Sequence, residues 1–211
     1  VKVVHPVRGV VPFNLYEFHE YIIYNLQGQR FNIIRKFRQA GITTISCAYS
    51  LWNILFKDNF SILVVSIGDR EAQDFLKRVK EMYFALPKWL RLKYSTLNKH
   101  ELVIKKTKSF IKAVPSASSA GRGLSMSLLI VDEAAFIDGM NEFWAAIIPT
   151  LSTGGRAFLI STVNGVGNFY YEKWFGAVEN RNEFNPIEIN FKQHPEYNTH
   201  EGEKRPDEPR E

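Results

Sequence analysis

"FNIIRKFRQAGITT", residues 31–44, sets a short apolar run before a loop that holds one glycine and two further cations. From Thr43 onward the pattern changes period. Ile45, Ala48, Leu51, Trp52 and Leu55 recur at helical spacing, so the order is strand, glycine loop, helix. Such an order suits a phosphate-binding loop, where backbone N–H groups and a helix N-terminus receive the anion. The usual pattern G-x-x-x-x-G-K-[ST] fits only in part. Anchored on Gly41, it puts Lys36 where the first glycine belongs and Ile42 where the lysine belongs.

Outward from this loop the design repeats. "SILVVSI" at 61–67 reads as a buried strand, followed by Asp69 as a helix N-cap and one apolar stripe of Ala72, Phe75, Leu76, Val79 and Tyr83. Residues 101–114 alternate loosely and read as two short strands or a hairpin. "SLLIVDEAAFI" at 127–137 and "RAFLISTVNG" at 156–165 start as buried strands and end in polar side chains. Near-continuous apolar strands interleaved with helices predict an α/β three-layer sandwich around a mostly parallel sheet. Ligands of such sheets bind outside the carboxyl ends of the strands, where loop 36–44, Asp132, Glu133 and Asn164 would converge. An Asp-Glu pair after a phosphate loop suits Mg²⁺ holding by the Asp and water activation by the Glu. Alone, the same pair serves equally as a helix cap.

The 211 residues, 45% of them apolar, are enough for one well-buried core. One domain is expected over 1–200, with 1–30 as an N-terminal subregion, and "EGEKRPDEPRE" at 201–211 as linker or tail. A single cysteine, Cys47, excludes an intrachain disulfide and fits a reducing cytosolic setting; the helix pattern makes it a small buried hydrophobe. The five histidines have no metal-ligand spacing, and no run is long enough for a membrane helix. Gly154-Gly155 before a strand reads as a tight turn. With 27 basic and 22 acidic residues the formal charge is +5, which favours an anionic partner. Lys105, Lys106, Lys108 and Lys112 form one basic cluster; Lys88, Arg91 and Lys93, beside Trp89, form another. Contact with a DNA backbone and a plain solvated surface are both open readings of these clusters.

"FRQAGITT", "LLIVDEAAFI" and "STVNG", in this order and spacing, resemble the ATPase domain of the large terminase subunit of tailed double-stranded DNA phages. "HPVRGVVPFNLYEFHE" at 5–20 and "AVPSASSAGRGLS" at 113–125 look like the same family. The resemblance implies a P-loop NTPase fold and ATP and Mg²⁺ as cofactors. It implies an activity too: ATP hydrolysis that translocates double-stranded DNA into a procapsid. Residue by residue, Gly41 matches the loop glycine within a nucleotide-binding stretch of Arg38, Gln39, Ala40, Gly41, Ile42, Thr43 and Thr44. Thr43 and Asp132 match the Mg²⁺ ligands, Glu133 the catalytic glutamate and Arg38 the γ-phosphate sensor. Ser161, Thr162 and Asn164 match the motif that couples hydrolysis to movement. Arg122 matches an arginine that in some members reaches a neighbouring subunit's nucleotide.

The family's implied partners are double-stranded DNA, the portal protein and the small terminase subunit. Its assembly is a homo-oligomeric ring, a pentamer, on the procapsid, with the free chain a monomer. It works in the host cytoplasm, transiently at the portal vertex, with no membrane involved. Two departures stand out. By spacing, His19 holds the place of a glutamine that reads the adenine edge, which leaves two readings: an imperfect amide mimic or a half-exposed helix residue. No nuclease domain follows residue 200, so no nuclease activity is expected of these residues.

Ile42 leaves its own alternatives. Either Lys36 reaches in from the loop's start while Arg38 meets the γ-phosphate, or nucleotide binds weakly and turnover is slow. From other classes come a non-hydrolysing assembly module and a helicase-like translocase, the latter expected to carry further motifs in a second ATPase-like domain.

Overall fold

The computed structural model describes residues 2–5, 9–115 and 125–195. Arg122 and the 201–211 segment lie outside these residues.

Strands β1 (Lys2–His5) and β2 (Gly9–Pro12) pair antiparallel as a separate ribbon. Helix α1 (Glu17–Gly28) leads into β3 (Phe31–Arg35), the glycine loop and α2 (Ile42–Phe56). Then come β4 (Ser61–Ser66), α3 (Asp69–Phe84), β5 (Tyr94–Leu97), β6 (Glu101–Ile104) and β7 (Phe110–Pro115). The chain continues through β8 (Leu128–Asp132), α4 (Met140–Ile147), β9 (Arg156–Ser161), α5 (Phe169–Val178) and β10 (Asn185–Glu188).

One eight-stranded sheet runs in the order β10-β3-β9-β8-β4-β7-β6-β5. From β10 to β7 every pairing is parallel, while β6 and β5 add antiparallel at the edge. Successive residues of each strand face opposite layers. Ile34, Val64, Ile130 and Ile160 join α1, α2 and α3 in one core. Their neighbours Ile33, Val65, Val131 and Leu159 join α4 and α5 in the other. This is the three-layer α/β sandwich with a mostly parallel sheet, and burial on both faces explains why its strands lack polar alternation.

Several local boundaries differ from the sequence reading. Gly68, not Asp69, stands at the N-cap of α3, and Asp69 opens the first turn with its carboxylate accepting from Gln73 Nε2 at 2.6 Å. β4 stops at Ser66 because Ile67 turns outward. β8 stops at Asp132, because Glu133 takes a left-handed conformation (φ 55°, ψ 44°) that no strand accommodates. β9 likewise ends at Ser161. Trp52 leaves the expected stripe of α2 and is 41% exposed, since the helix buries its remaining sides against β strands, α1 and α3. Gly154 makes the expected turn with φ 98°, but Gly155 is required for another reason: a Cβ there would lie 2.2 Å from the Met126 carbonyl oxygen.

Two arginines tie elements across the molecule. Arg156, opening β9, donates to the carbonyls of Leu26 (2.8 Å) and Gln27 (2.6 Å) at the end of α1. Arg30 donates to Leu151 (2.6 Å) and Gly155 (2.9 Å). The Arg156 guanidinium satisfies carbonyls that the end of α1 leaves without intrahelical partners, whereas Arg30 adds a second donor to a Leu151 carbonyl that already accepts the Gly155 N–H at 2.9 Å.

Candidate functional site

Strand order creates the site. β3 and β4 are consecutive parallel strands, yet β9 and β8 lie between them, so the loop leaving β3 opens beside the ends of two strands from later in the chain. In register Arg35 faces Ser161, Asp132 faces Ile160, and the Lys36 N–H donates to the Ser161 carbonyl at 3.0 Å. This is the switch-point crevice where open α/β sheets take ligands.

The loop curls through Gln39 (φ 63°) and Gly41 (φ 73°), both left-handed. Helical bonding starts with the Ile45 N–H donating to the Gly41 carbonyl at 3.0 Å. That leaves the amides of Ile42, Thr43 and Thr44 without intrahelical acceptors at the positive end of a 15-residue helix. Ile42 itself points away. Its side chain is 1% exposed, inside the core under α2, so only its backbone belongs to the loop.

Lys36 turns inward and is 9% exposed, with Nζ 2.6 Å from Glu133 Oε1. Glu133 Oε2 accepts from the Thr162 N–H at 3.3 Å and lies 3.5 Å from the hydroxyls of both Ser161 and Thr162. Asn164 Nδ2 donates to the Ala135 carbonyl at 2.9 Å, and the Ala135 N–H donates to Ser161 Oγ at 3.1 Å. The Thr43 hydroxyl donates to Asp132 Oδ2 at 3.1 Å. Burial raises the Asp132 carboxyl above its ordinary pKa; Lys36 opposes this, and the neighbouring Glu133 charge adds to it.

The structure thus brings Lys36, Thr43, Asp132, Glu133, Ser161, Thr162 and Asn164 together. Arg38 stands exposed at the loop's crest and forms no ion pair among the described residues.

His19 departs from the half-exposed reading of it. It is 1% exposed rather than half-exposed. Its Nδ1 accepts the Tyr16 N–H at 3.2 Å, which fixes the proton on Nε2, and Nε2 donates to the Ala40 carbonyl at 2.9 Å. Both ring nitrogens are spent on backbone, so no edge is left to read an adenine in this arrangement. The imidazole instead pins the loop: a Cβ on Gly41 would stand 3.1 Å from Nε2. Burial lowers the pKa of His19 below the ordinary histidine value, the Ala40 contact opposes this, and His194 reinforces it.

Tyr170 on α5 belongs to none of the sequence motifs. Its hydroxyl is buried, without a hydrogen-bond partner among the described residues, and burial raises its pKa far above the usual value. It lines a cavity of about 240 Å³ with Arg35, Ala135, Asn164 and Trp174, next to the Glu133 cluster. No sequence signal distinguishes it from the other aromatics of "NFYYEKWF".

The donor chemistry fits a magnesium nucleotide. Thr43 and Asp132 present hard oxygen donors side by side, and the first-turn amides of α2 suit phosphate oxygens. Among the described residues no group of three or more His, Cys, Asp or Glu is placed to hold a metal ion.

The family description "terminase large subunit, T4likevirus-type, N-terminal" matches residues 33–210. Among solved structures, the HK97 bacteriophage large terminase aligns with a TM-score of 0.68 at 19% identity, over 87% of this chain and 40% of that one. A mutant ATPase domain of the Thermus phage P74-26 large terminase gives 0.67 at 17% identity, over 86% of this chain and 83% of that one. The large terminase of a thermophilic bacteriophage in complex with ATP-γ-S gives 0.66 at 11% identity, over 86% and 46%. The chain therefore spans less than half the length of two of these relatives. At these identities the likeness carries the fold, the P-loop type of α/β sandwich, and the family match carries the kinship: this chain belongs to the terminase large subunits, of which it holds N-terminal sequence.

Proposed function

We propose that the chain is the ATPase motor domain of its terminase, hydrolysing Mg²⁺-ATP to drive double-stranded DNA into a procapsid. The observation that supports this most is the Lys36–Glu133 contact at 2.6 Å, which sets a cation and a carboxylate at the mouth of the glycine loop. The amides of Ile42, Thr43 and Thr44 receive the β-phosphate, and Lys36 supplies the charge that Ile42 lacks. Thr43 and Asp132 would hold Mg²⁺, which when bound neutralises phosphate oxygens. Glu133 orients the attacking water and takes its proton, while Ser161 and Thr162 fix which way its carboxylate faces. Arg38, exposed on the crest, closes on the γ-phosphate; Arg122 acts across a subunit boundary.

Residues 1–200 act as one ATPase domain, assembled as a pentameric ring with the portal protein and small terminase subunit at the vertex, in the host cytoplasm. No described helix is long and apolar enough to cross a membrane.

Steady-state phosphate release with Mg²⁺-ATP tests the reading. Loss of turnover in Lys36→Ala with nucleotide still bound supports it. Unchanged turnover removes Lys36 from the mechanism, and tight binding with no release by the unsubstituted chain favours the assembly module instead.

A further inference from the structure

At the antiparallel end of the sheet, the last turn of α3 and the start of β5 enclose an open recess of about 460 Å³ lined by Tyr83, Phe84, Lys88, Arg91, Lys93 and Tyr94. The lining holds three cations and no carboxylate. Among the described residues none of the three forms an ion pair. The Tyr83 hydroxyl donates to the Leu92 carbonyl at 2.5 Å, which fixes this ring as the back wall. Phe84 and Tyr94 stand nearly perpendicular to it, at 73° and 71°, with centroids 5.2 and 6.2 Å away. Both are about half exposed, 47% and 44%.

The fold also merges the two basic clusters of the sequence. The Lys105 N–H donates to the Lys93 carbonyl at 2.9 Å, and Tyr94 pairs with Ile104, so exposed Lys105, Lys106 and Lys108 extend the same edge. Lys112 leaves the group, because its register partner is Glu101.

We infer that this recess binds an unpaired stretch of nucleic acid, with phosphates on Lys88, Arg91 and Lys93 and a base against Phe84 or Tyr94. Cations alone would accept any polyanion. Exposed aromatic faces beside them add a surface that an acidic peptide does not need and that a duplex, with its bases stacked inside, cannot use. The site lies outside the phosphate-loop crevice and does not rest on hydrolysis there, so its test uses no ATP.

The probe is a fluorescent dodecathymidylate, compared with a duplex of equal length, in anisotropy titrations across a salt series. For the single strand, Lys88→Glu with Arg91→Glu and Lys93→Glu is expected to lower affinity at least ~10-fold and to flatten the dependence of log K on log salt by about 2. Phe84→Ala with Tyr94→Ala is expected to cost about 10-fold for the single strand, with an unchanged slope and no loss for the duplex. Lys173→Glu, on α5 at the other end of the sheet, is a charge reversal away from the recess and should bind as the parent does. Circular dichroism melts verify that each variant is folded. Parent-like binding by the charge variant, an equal loss with Lys173→Glu, or an equal effect of the aromatic variant on the duplex would each overturn the assignment.

Discussion

The carboxyl ends of β3, β8 and β9 and the β5–β6 edge of the same sheet both gather charge, in opposite ways. At the strand ends Lys36 is buried and Asp132 partly buried, and each has a partner: Glu133 for one, the Thr43 hydroxyl for the other. At the edge Lys88, Arg91 and Lys93 have no carboxylate partner among the described residues and stay in water. Removing one member of a buried pair strands the other without solvent, whereas an exposed cation loses little when changed. The first arrangement suits groups that exchange partners during a reaction; the second suits groups that wait for a polyanion.

The sharpest way to break this comparison is Glu133→Gln, which keeps the shape and removes the base. Phosphate release should fall about 10²–10⁴-fold while nucleotide binding, read by calorimetry, persists. Near-normal release would place the base elsewhere. Next comes Ile42→Lys. Restoring the usual loop lysine puts an ammonium where a side chain is 1% exposed, so chemical denaturation should show a loss of about 2–3 kcal/mol rather than a gain in turnover.

Gly41→Ala should cost about 1–3 kcal/mol, because φ is 73° and the new methyl meets His19 at 3.1 Å. His19→Ala should cost about 1–3 kcal/mol by leaving the Tyr16 N–H and Ala40 carbonyl without partners, with KM for ATP rising more than kcat falls. Its pH signature follows from the lowered pKa. The contribution of neutral His19 is fully present above the unfolded value of about 6.5 and is lost as pH falls through the folded one. A stability profile as steep in His19→Gln as in the parent would assign that loss to another group. The smallest effect sharpens the other half of the comparison: Lys88→Glu should change stability by less than ~0.5 kcal/mol and leave phosphate release unaltered.

Much of this fold is legible in the sequence because its central strands are buried on both faces. "FNIIR" coincides with β3, and the stripe of α3 is buried at all five expected positions. Shorter pieces lack such contrast. β10 is Asn-Pro-Ile-Glu, an edge strand whose proline looks like a breaker although an edge tolerates its missing N–H. β5 has four residues and a register shift, and α4 has eight.

In the site, the kinds of residue could be read from the motifs, but the neighbours could not. Which cation meets which carboxylate depends on β9 and β8 inserting between β3 and β4, a matter of topology. His19 shows the same limit: its spacing suggested an adenine contact, and only the tertiary fold reveals that both nitrogens are engaged with backbone 3 and 21 residues away.

Helix α1 holds the loop at one end through His19 and is clasped at the other by Arg156 from the start of β9. Twelve residues of helix make a strut about 18 Å long. A push on β9's opening therefore has two routes to the nucleotide crevice: along the strand to Ser161, and back through the strut to Ala40. Two such routes of fixed length constrain each other like the sides of a linkage, so tilting α1 by a few degrees would move the phosphate loop relative to Glu133 without unfolding either one.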